Sequence, residues 1–485
     1  MATVMTAFQQ AQPTGIDLVQ RAYLEWLESQ ENERAAKYAQ FRDYYAGEHL
    51  TQLTKRMRAF LELKTDQEFS LNFCPIVVDS LAEKLKVAKF ECDPDADLLA
   101  EWWKLNRMDA QQAVVHLAGV RDGDTYVLVE WDNEKKRPRF TQENAYDGTQ
   151  GLHVIYGDER HLEPVVAIKR WTITSGRNVK TRRTNLYYAD RIEKYTDLGT
   201  GQAWQPFAED GQSWPIPWTD SGGEGGVPLG IPIVHFRNKD QGYSYGESEL
   251  EDVVPMSNAL NKTLIDLLAA ADTTGFRNYW MTGGKPEGMS TAPGSWLYNT
   301  SPEARIGNID GADLTGLISL KDSVIFDIAR LTRTPLSSFQ ITGQVAAAGT
   351  LKEQRSGLIA KARDRQTVFG NAWEDVMAFG RKLHNVFGPG GMNEEAEVST
   401  VWADDEKPDD SELATQVELL TRAQAASTQQ KVIILHPDWT EEQVAKEVAL
   451  IQAEQAMAVP DIGPPAGNGG GAMTPEEMTA GGVGE

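Results

Sequence analysis

What most limits how this chain can fold is a pair of apolar helical stripes separated by a stretch that breaks helices. From Gly246 onward, Leu250, Val253, Val254, Leu260, Leu264, Leu267 and Leu268 recur near the helical period. Leu314, Leu317, Ile318, Val324, Ile325 and Ile328 do so again further on. Between them Gly283, Gly284, Pro286, Pro293 and Gly294 forbid a continuous helix. The chain must therefore run out along 246–272, build a small knob over 273–313 and return along 314–333. At 1.5 Å per residue the outgoing helix is roughly 40 Å long, and Pro255 is expected to kink it or to start its main segment. Trp280 and Trp296 fall at strand-like positions in the knob, where they either fill a small local core or anchor an interface.

The return helix leads into a second unusual segment. Residues 335–349, PLSSFQITGQVAAAG, contain no Asp, Glu, Lys or Arg, although 24% of the chain is charged. Composition alone fits a plain flexible connection between helices. From Thr350 the longest helical pattern follows, with Leu351, Leu358, Ile359, Ala362, Phe369, Trp373, Val376, Met377, Leu383 and Phe387 at helical spacing. Gly388-Pro389-Gly390 ends it. Lys352, Arg355, Lys361, Arg363 and Arg365 lie on this helix, and a solvated face is the ordinary reading of such a cluster.

The first 245 residues change period. Helices are expected over 16–45, closed by Gly47, and over 76–86, with Pro75 in the first turn; two more run over 98–105 and 109–121. After the turn Asp122-Gly123-Asp124, the segments 125–131, 152–156, 165–172, 185–188 and 231–236 are rich in β-branched and aromatic residues and read as strands. This half is α+β. Trp204, Trp214 and Trp218 anchor a Gly- and Pro-rich loop that runs to Gly230. From Glu394 to Glu418 ten acidic residues face one basic, Lys407, and two helical patterns, 411–426 and 440–457, flank His436. The tail from Val459 holds eight Gly and four Pro in 27 residues and is expected to be disordered.

A formal net charge of −24 argues against a protein that grips nucleic-acid phosphates over a general basic surface. Two cysteines, Cys74 and Cys92, are too few for a disulfide scaffold or a four-cysteine zinc module. Cys74 stands at a helix start, where a thiol pKa can fall, but a buried inert thiol is the commoner case. Residues 1–20 have no Lys or Arg and no sustained apolar run, so no signal peptide is expected, and no segment is apolar enough to span a membrane.

Candidate chemical motifs fail one by one. Asp93, Asp95 and Asp97 imitate a calcium loop, but Leu98 and Lys104 stand where Gly and Glu are needed. Gly284-Lys285 imitates a phosphate loop, but Pro286 replaces its Ser or Thr. The seven histidines, among them His116, His153, His161 and His436, show neither metal spacing nor a nucleophile partner. No catalytic, cofactor or metal residue is assigned.

Several phrases resemble the portal proteins of long-tailed bacteriophages: YYAGEH at 44–49, LNFCPIVVDSLAEKLKV at 71–87, GESELEDVVPMSNALNKTLIDLL at 246–268, GTLKEQRSGLIAKARDRQTVFGNAWEDVM at 349–377 and VWADDEKPDD at 401–410. The resemblance spans residues 16–457. It implies a wing over 1–245, stem helices at 246–272 and 314–333, and a clip at 273–313. A tunnel loop at 334–349, a long helix with wing return at 350–403 and a crown at 404–458 complete the fold. It further implies a non-enzymatic homo-oligomer, a dodecameric ring at a capsid vertex of the virion. Double-stranded DNA would lie in its channel, and terminase, head-tail adaptor, major capsid and scaffold proteins would be its partners. Assembly would take place in the host cytoplasm. Phe339, Gln340, Thr342, Gln344 and Val345 would then line the tunnel, Lys352, Arg355 and Lys361 would meet DNA or a neighbouring subunit, and Trp280 and Trp296 would face the clip interface. The rival is a packaging or head-processing enzyme of the same phage module.

Overall fold

The computed structural model describes residues 18–48, 55, 70–157, 163–175, 179–197, 204–208, 213–223, 225–240, 242, 244–275, 278–283, 301–309, 314–339, 348–403, 410–423, 425–436, 439 and 441–458. The chain divides into two units, Met1–Ala403 and Asp404–Glu485. The expectation of a disordered tail lies outside the described residues.

The first unit is α+β, as its changing periods suggested. Helix α1 (Leu18–Ala46) ends at Gly47. Helix α2 (Cys74–Ala82) has a proline in its first turn, strand β1 (Val87–Glu91) follows, and then come α3 (Ala96–Leu105) and α4 (Met108–Asp122). Strands β2 (Asp124–Asp132) and β3 (Arg137–Asn144) pair antiparallel. With β10 (Ile233–Arg237) on the other edge of β2 they form a three-stranded sheet in the order β10-β2-β3. A larger antiparallel sheet runs β4 (Gly151–Tyr156), β5 (Pro164–Ser175), β6 (Val179–Tyr187), β7 (Arg191–Thr196) and β8 (Gln205–Pro206), and β9 (Ile216–Pro217) also pairs with β7.

Helix α5 (Val253–Gly275), the hairpin β11 (Asn278–Thr282) and β12 (Arg305–Ile309), and helix α6 (Thr315–Thr332) form the out-and-back excursion, and α5 and α6 pack against each other. The first unit closes with α7 (Ala348–Phe387), about 60 Å long at helical rise, and β13 (Ser399–Trp402). β13 pairs with β1 from the far end of the chain, Phe90 opposite Thr400.

The main core gathers around α7. Trp373, Phe369, Val376 and Met377 are buried against Phe236 of β10, Val127 and Val129 of β2 and the helices α2 to α4. Gly119 of α4 permits this crossing, because a Cβ there would lie 2.9 Å from the Phe369 ring. His116 sits in the same core and is fully buried. Its Nδ1–H donates to Leu85 O at 2.7 Å, its Nε2 accepts from Trp373 Nε1 at 2.8 Å, and burial holds it neutral with a pKa down to about 4. Two smaller clusters seat α1 on the sheets, Leu24 and Leu27 on Val166, Ile168 and Leu186 of the large sheet, and Tyr38 on Leu152 of that sheet and Tyr126 of the three-stranded one. The thiol of Cys74 is buried and pushed up to about 12 by that burial, so it is the inert alternative.

Three expectations need correction. Strand 185–188 is only the end of β6, which starts at Val179; its Lys, Arg and Thr residues carry no apolar alternation, yet backbone pairing to β5 continues through them. β1, β3, β7 and β13 were not foreseen. In the second unit there are three described helices rather than two: α8 (Asp410–Arg422), α9 (Thr428–Leu435) and α10 (Glu441–Ala458). Helix α9 is opened by Ser427, whose Oγ accepts from Gln430 N at 3.2 Å.

Candidate functional site: the base of the helix pair

Everything that leaves the body along α5 must first pass Gly246, where two backbone segments touch. Gly123, the cap after α4, has φ +94°, and a Cβ on Gly246 would lie 2.1 Å from Gly123 O. Only glycine fits such a crossing. Hydrogen bonds stitch the two segments together. Glu249 N donates to Val120 O at 3.1 Å, Asn238 N to Gly123 O at 2.8 Å, Gly246 N to the Asp124 carboxylate at 2.6 Å, and the Ser248 hydroxyl to Arg121 O.

Asp124 is the hub of this stitching. It is fully buried and accepts from Tyr38 Oη at 2.6 Å, from His235 Nε2 at 2.8 Å and from Gly246 N, so α1, β10 and the start of the α5 segment meet on one carboxylate. His235 is thereby fixed with its proton on Nε2, and its Nδ1 accepts from Tyr156 at 2.8 Å. Asp122, likewise buried, takes Arg42 at 3.0 Å and Arg121 at 2.7 Å.

The second fixture joins three helices. Glu249, three residues past the glycine crossing, is 3% exposed and meets Lys361 of α7 at 2.5 Å and Arg365 of α7 at 3.3 Å, with Lys239 at 3.8 Å. Lys361 also donates to Thr332 O at 2.9 Å, the carbonyl at the end of α6. Burial opposes the charge on Glu249, but Lys361 and Lys239 hold its carboxyl below the usual carboxylate range. Further up α5, Asn261 accepts from Leu71 N at 2.7 Å and Asn258 accepts from Tyr44 Oη at 2.7 Å. The start of α5, the end of α6 and the middle of α7 are therefore pinned where the uncharged loop leaves the body.

Lys361 corrects one expectation. It was a candidate for DNA or a neighbouring subunit, but it is turned inward and consumed by Glu249 and Thr332, because a buried carboxylate needs a cation. Arg365 is buried on the same acid, whereas Arg355 and Arg363 are exposed. Lys352 lies on α7, and its side chain is outside the described residues. Of the loop residues, Phe339 is described. Its ring meets Phe73 edge-on at 5.5 Å and 72°, so it anchors the loop to the body. Gln340, Thr342, Gln344, Val345 and Trp296 are outside the described residues. Trp280 is on β11, 43% exposed, opposite Gly307 of β12, whose missing side chain leaves room for the indole. Glu249, Asp124 and Asn261 escaped sequence reading, since nothing in their spacing reveals partners so distant in the chain.

Among the described residues no group of three or more His, Cys, Asp or Glu is placed to hold a metal ion, and no helix is long and apolar enough to cross a membrane. A helical hairpin is thus locked by buried ion pairs onto an α+β body. Comparison with known proteins makes this specific. The family model described as phage portal protein, SPP1 Gp6-like, matches residues 24–461, and the chain belongs to that family. It is 23% identical to the portal protein of Mycobacterium phage D29 over 354 residues, 69% of this chain and 68% of that protein. It is likewise 23% identical to the portal protein of Mycobacterium phage L5 over 355 residues, 69% of this chain and 68% of that protein.

Proposed function

We propose that this portal protein assembles as a dodecameric ring around an axial channel for double-stranded DNA, through which the genome is packaged and ejected. In this reading 1–245 is the wing, 246–272 and 314–333 the stem, 273–313 the clip, 334–349 the tunnel loop, 350–403 the long helix and wing return, and 404–458 the crown. Twelve copies place α5 and α6 side by side around the hole. The clip, with Trp280 and Trp296, receives terminase during packaging and the head-tail adaptor afterwards, while the wing faces the major capsid and scaffold proteins. Assembly takes place in the host cytoplasm and the product resides at a vertex of the virion capsid.

The observation that carries this reading is the contrast along the helix pair. One side of the pair is sealed against the body, while Ile318, Leu320, Phe326 and Leu331 of α6 are 44%, 49%, 45% and 57% exposed. Exposed apolar side chains gathered on one helix are surface awaiting cover. The uncharged loop and the net charge of −24 suit a conduit, because each phosphate neutralised by Lys or Arg would add affinity that slows sliding. Gln340, Thr342, Gln344 and Val345 are the loop residues assigned to the channel, with Phe339 as their hinge to the body, and Lys352 and Arg355 are the remaining basic candidates for contact. Electron microscopy of the purified protein tests the ring directly: closed rings are expected, and a monodisperse monomer across assembly conditions overturns it. Deleting 340–347 is expected to spare rings and impair DNA packaging or retention; undiminished packaging and retention remove the loop from the mechanism.

A further inference from the structure

The large sheet carries a feature that conduit function does not use. In a chain with 71 acidic and 47 basic residues, the paired strands β5 and β6 carry Lys169, Arg170, Lys180, Arg182 and Arg183 and no acid at all. Three of these arginines converge with Trp171 and Trp204 on a cleft of about 160 Å³, floored by the turn at Gly148 and Thr149.

Two of them hold polar atoms that no described residue satisfies. Arg170 is 5% exposed. Its Nε is spent on Glu31 at 2.6 Å and its Nη1 reaches Thr184 at 3.4 Å, but Nη2 is buried without a hydrogen-bond partner. Arg183 lies with its guanidinium 3.5 Å over the Phe207 ring, forms no ion pair among the described residues, and its Nε is also buried and unpartnered. Trp204 steadies the arrangement, with Arg170 at 5.3 Å and Arg182 at 5.1 Å from its ring centre. Buried guanidinium N–H groups left unpaired are costly, and two on one cleft mark the place of a missing acceptor.

We propose that this cleft receives a Glu or Asp side chain from an acidic polypeptide segment docking on the large sheet. The Nη2 of Arg170 and the guanidinium of Arg183 can each donate to one of the two oxygens of a carboxylate, and the indoles of Trp171 and Trp204 supply walls for its methylenes. Charge balance favours a monoanion. Arg170 and Arg182 are already countered by Glu31, Glu28 and Asp197, the first at 2.6 Å from Arg170 and the last at 2.6 Å from Arg182, which leaves Arg183 as the uncompensated cation. The space suits a side chain better than a single bridging water, which needs only about 10–15 Å³. It is too small for a nucleotide, whose pockets begin near 300 Å³.

The test is titration calorimetry of the purified full-length protein at low ionic strength with a hexaglutamate peptide, and separately with inorganic phosphate. The wild type is expected to bind the peptide. Arg183→Gln should weaken binding about tenfold, the loss expected for one charge-assisted hydrogen bond. Arg170→Lys, which keeps a cation beside Glu31 but removes the Nη2 donor, should weaken it similarly. Thermal melting of each variant close to wild type shows that the fold is intact, and Lys89→Gln, an exposed lysine on another sheet, should bind as wild type does. Absence of peptide binding by the folded wild type overturns the proposal. So does equal weakening by Lys89→Gln, which would mean unspecific charge attraction, and so does binding of phosphate without the peptide.

Discussion

At the base of the helix pair, Val253, Leu260, Ser257 and Asn261 of α5 are buried, and Val324, Ile325 and Ile328 of α6 are buried against the body with Thr332 tied to Lys361. Toward the hairpin, Ile318 and Leu320 stand 44% and 49% exposed and Trp280 43% exposed, while Leu264, Leu267 and Leu268 are half-buried. The same two helices thus bury one set of side chains against the body and leave apolar ones exposed, Ile318 and Leu320 toward the hairpin and Phe326 and Leu331 nearer the base. The buried contacts hold the arm, and the exposed apolar side chains are surface left open to cover. Four changes separate these roles, and the first should have the largest effect on the isolated subunit.

Replacing Glu249 by Ala removes the acid that Lys361 and Arg365 share and leaves a buried cation uncompensated. A cost of roughly 3–5 kcal/mol is expected, the range for breaking a buried ion pair from one side. Urea unfolding checks it, and a loss under about 1 kcal/mol would mean that the base is not what holds the arm. Acid probes the same sealed region. The folded pKa of His116 lies at about 4, below its ordinary 6.5, so the unfolded chain binds more protons between those values and stability falls as pH drops from 6.5 toward 4. The full effect is about 3 kcal/mol. Glu249, whose folded pKa is depressed, works in the same direction below its ordinary 4.5: its stabilisation is present above that value and is lost as pH falls through the folded pKa. Unfolding free energy measured from pH 7 to 4 should decline, and His116→Gln should flatten the upper part of that decline.

How the helix pair was legible while its fastening was not follows from the range of the interactions. The stripes of α5 and α6, the closing Gly47 and the proline start of α2 are local signals, repeated within a turn or two, and they survive into the fold because burial and period agree. The fastening is long-range. Lys361 sits among other basic residues on a helix and reads as solvated until Glu249, far back in the chain, is brought against it. β13 is four residues long and pairs with β1, roughly 300 residues earlier in the chain. The first half of β6 carries no apolar alternation because its arginines, Arg182 and Arg183, line the cleft rather than a core.

Trp280 tests the far end at the hairpin. Its indole covers Gly307 across the strand pair, an arrangement worth about 0.2–1 kcal/mol in cross-strand packing. Trp280→Ala should therefore speed hydrogen exchange in 278–282 and 305–309 while the urea midpoint of the body stays in place. A shift of the whole transition would show that hairpin and body unfold as one unit, and the contrast between the two ends would weaken.

The smallest effect on the subunit is the most informative about assembly. Leu320 is 49% exposed on α6 and contributes little to its own chain's core, so Leu320→Ser should change unfolding free energy by no more than about 0.5 kcal/mol, the ordinary range for a surface substitution. If neighbouring copies cover that face, each subunit in the ring loses an apolar contact at its interface, and the penalty is repeated around the circle because every interface is the same. Sedimentation velocity should then show the oligomer dissociating at concentrations where the wild type remains assembled, with the monomer still folded. Unchanged assembly would place the interface elsewhere on the arm, and a destabilised monomer would place Leu320 in the sealed region rather than the open one.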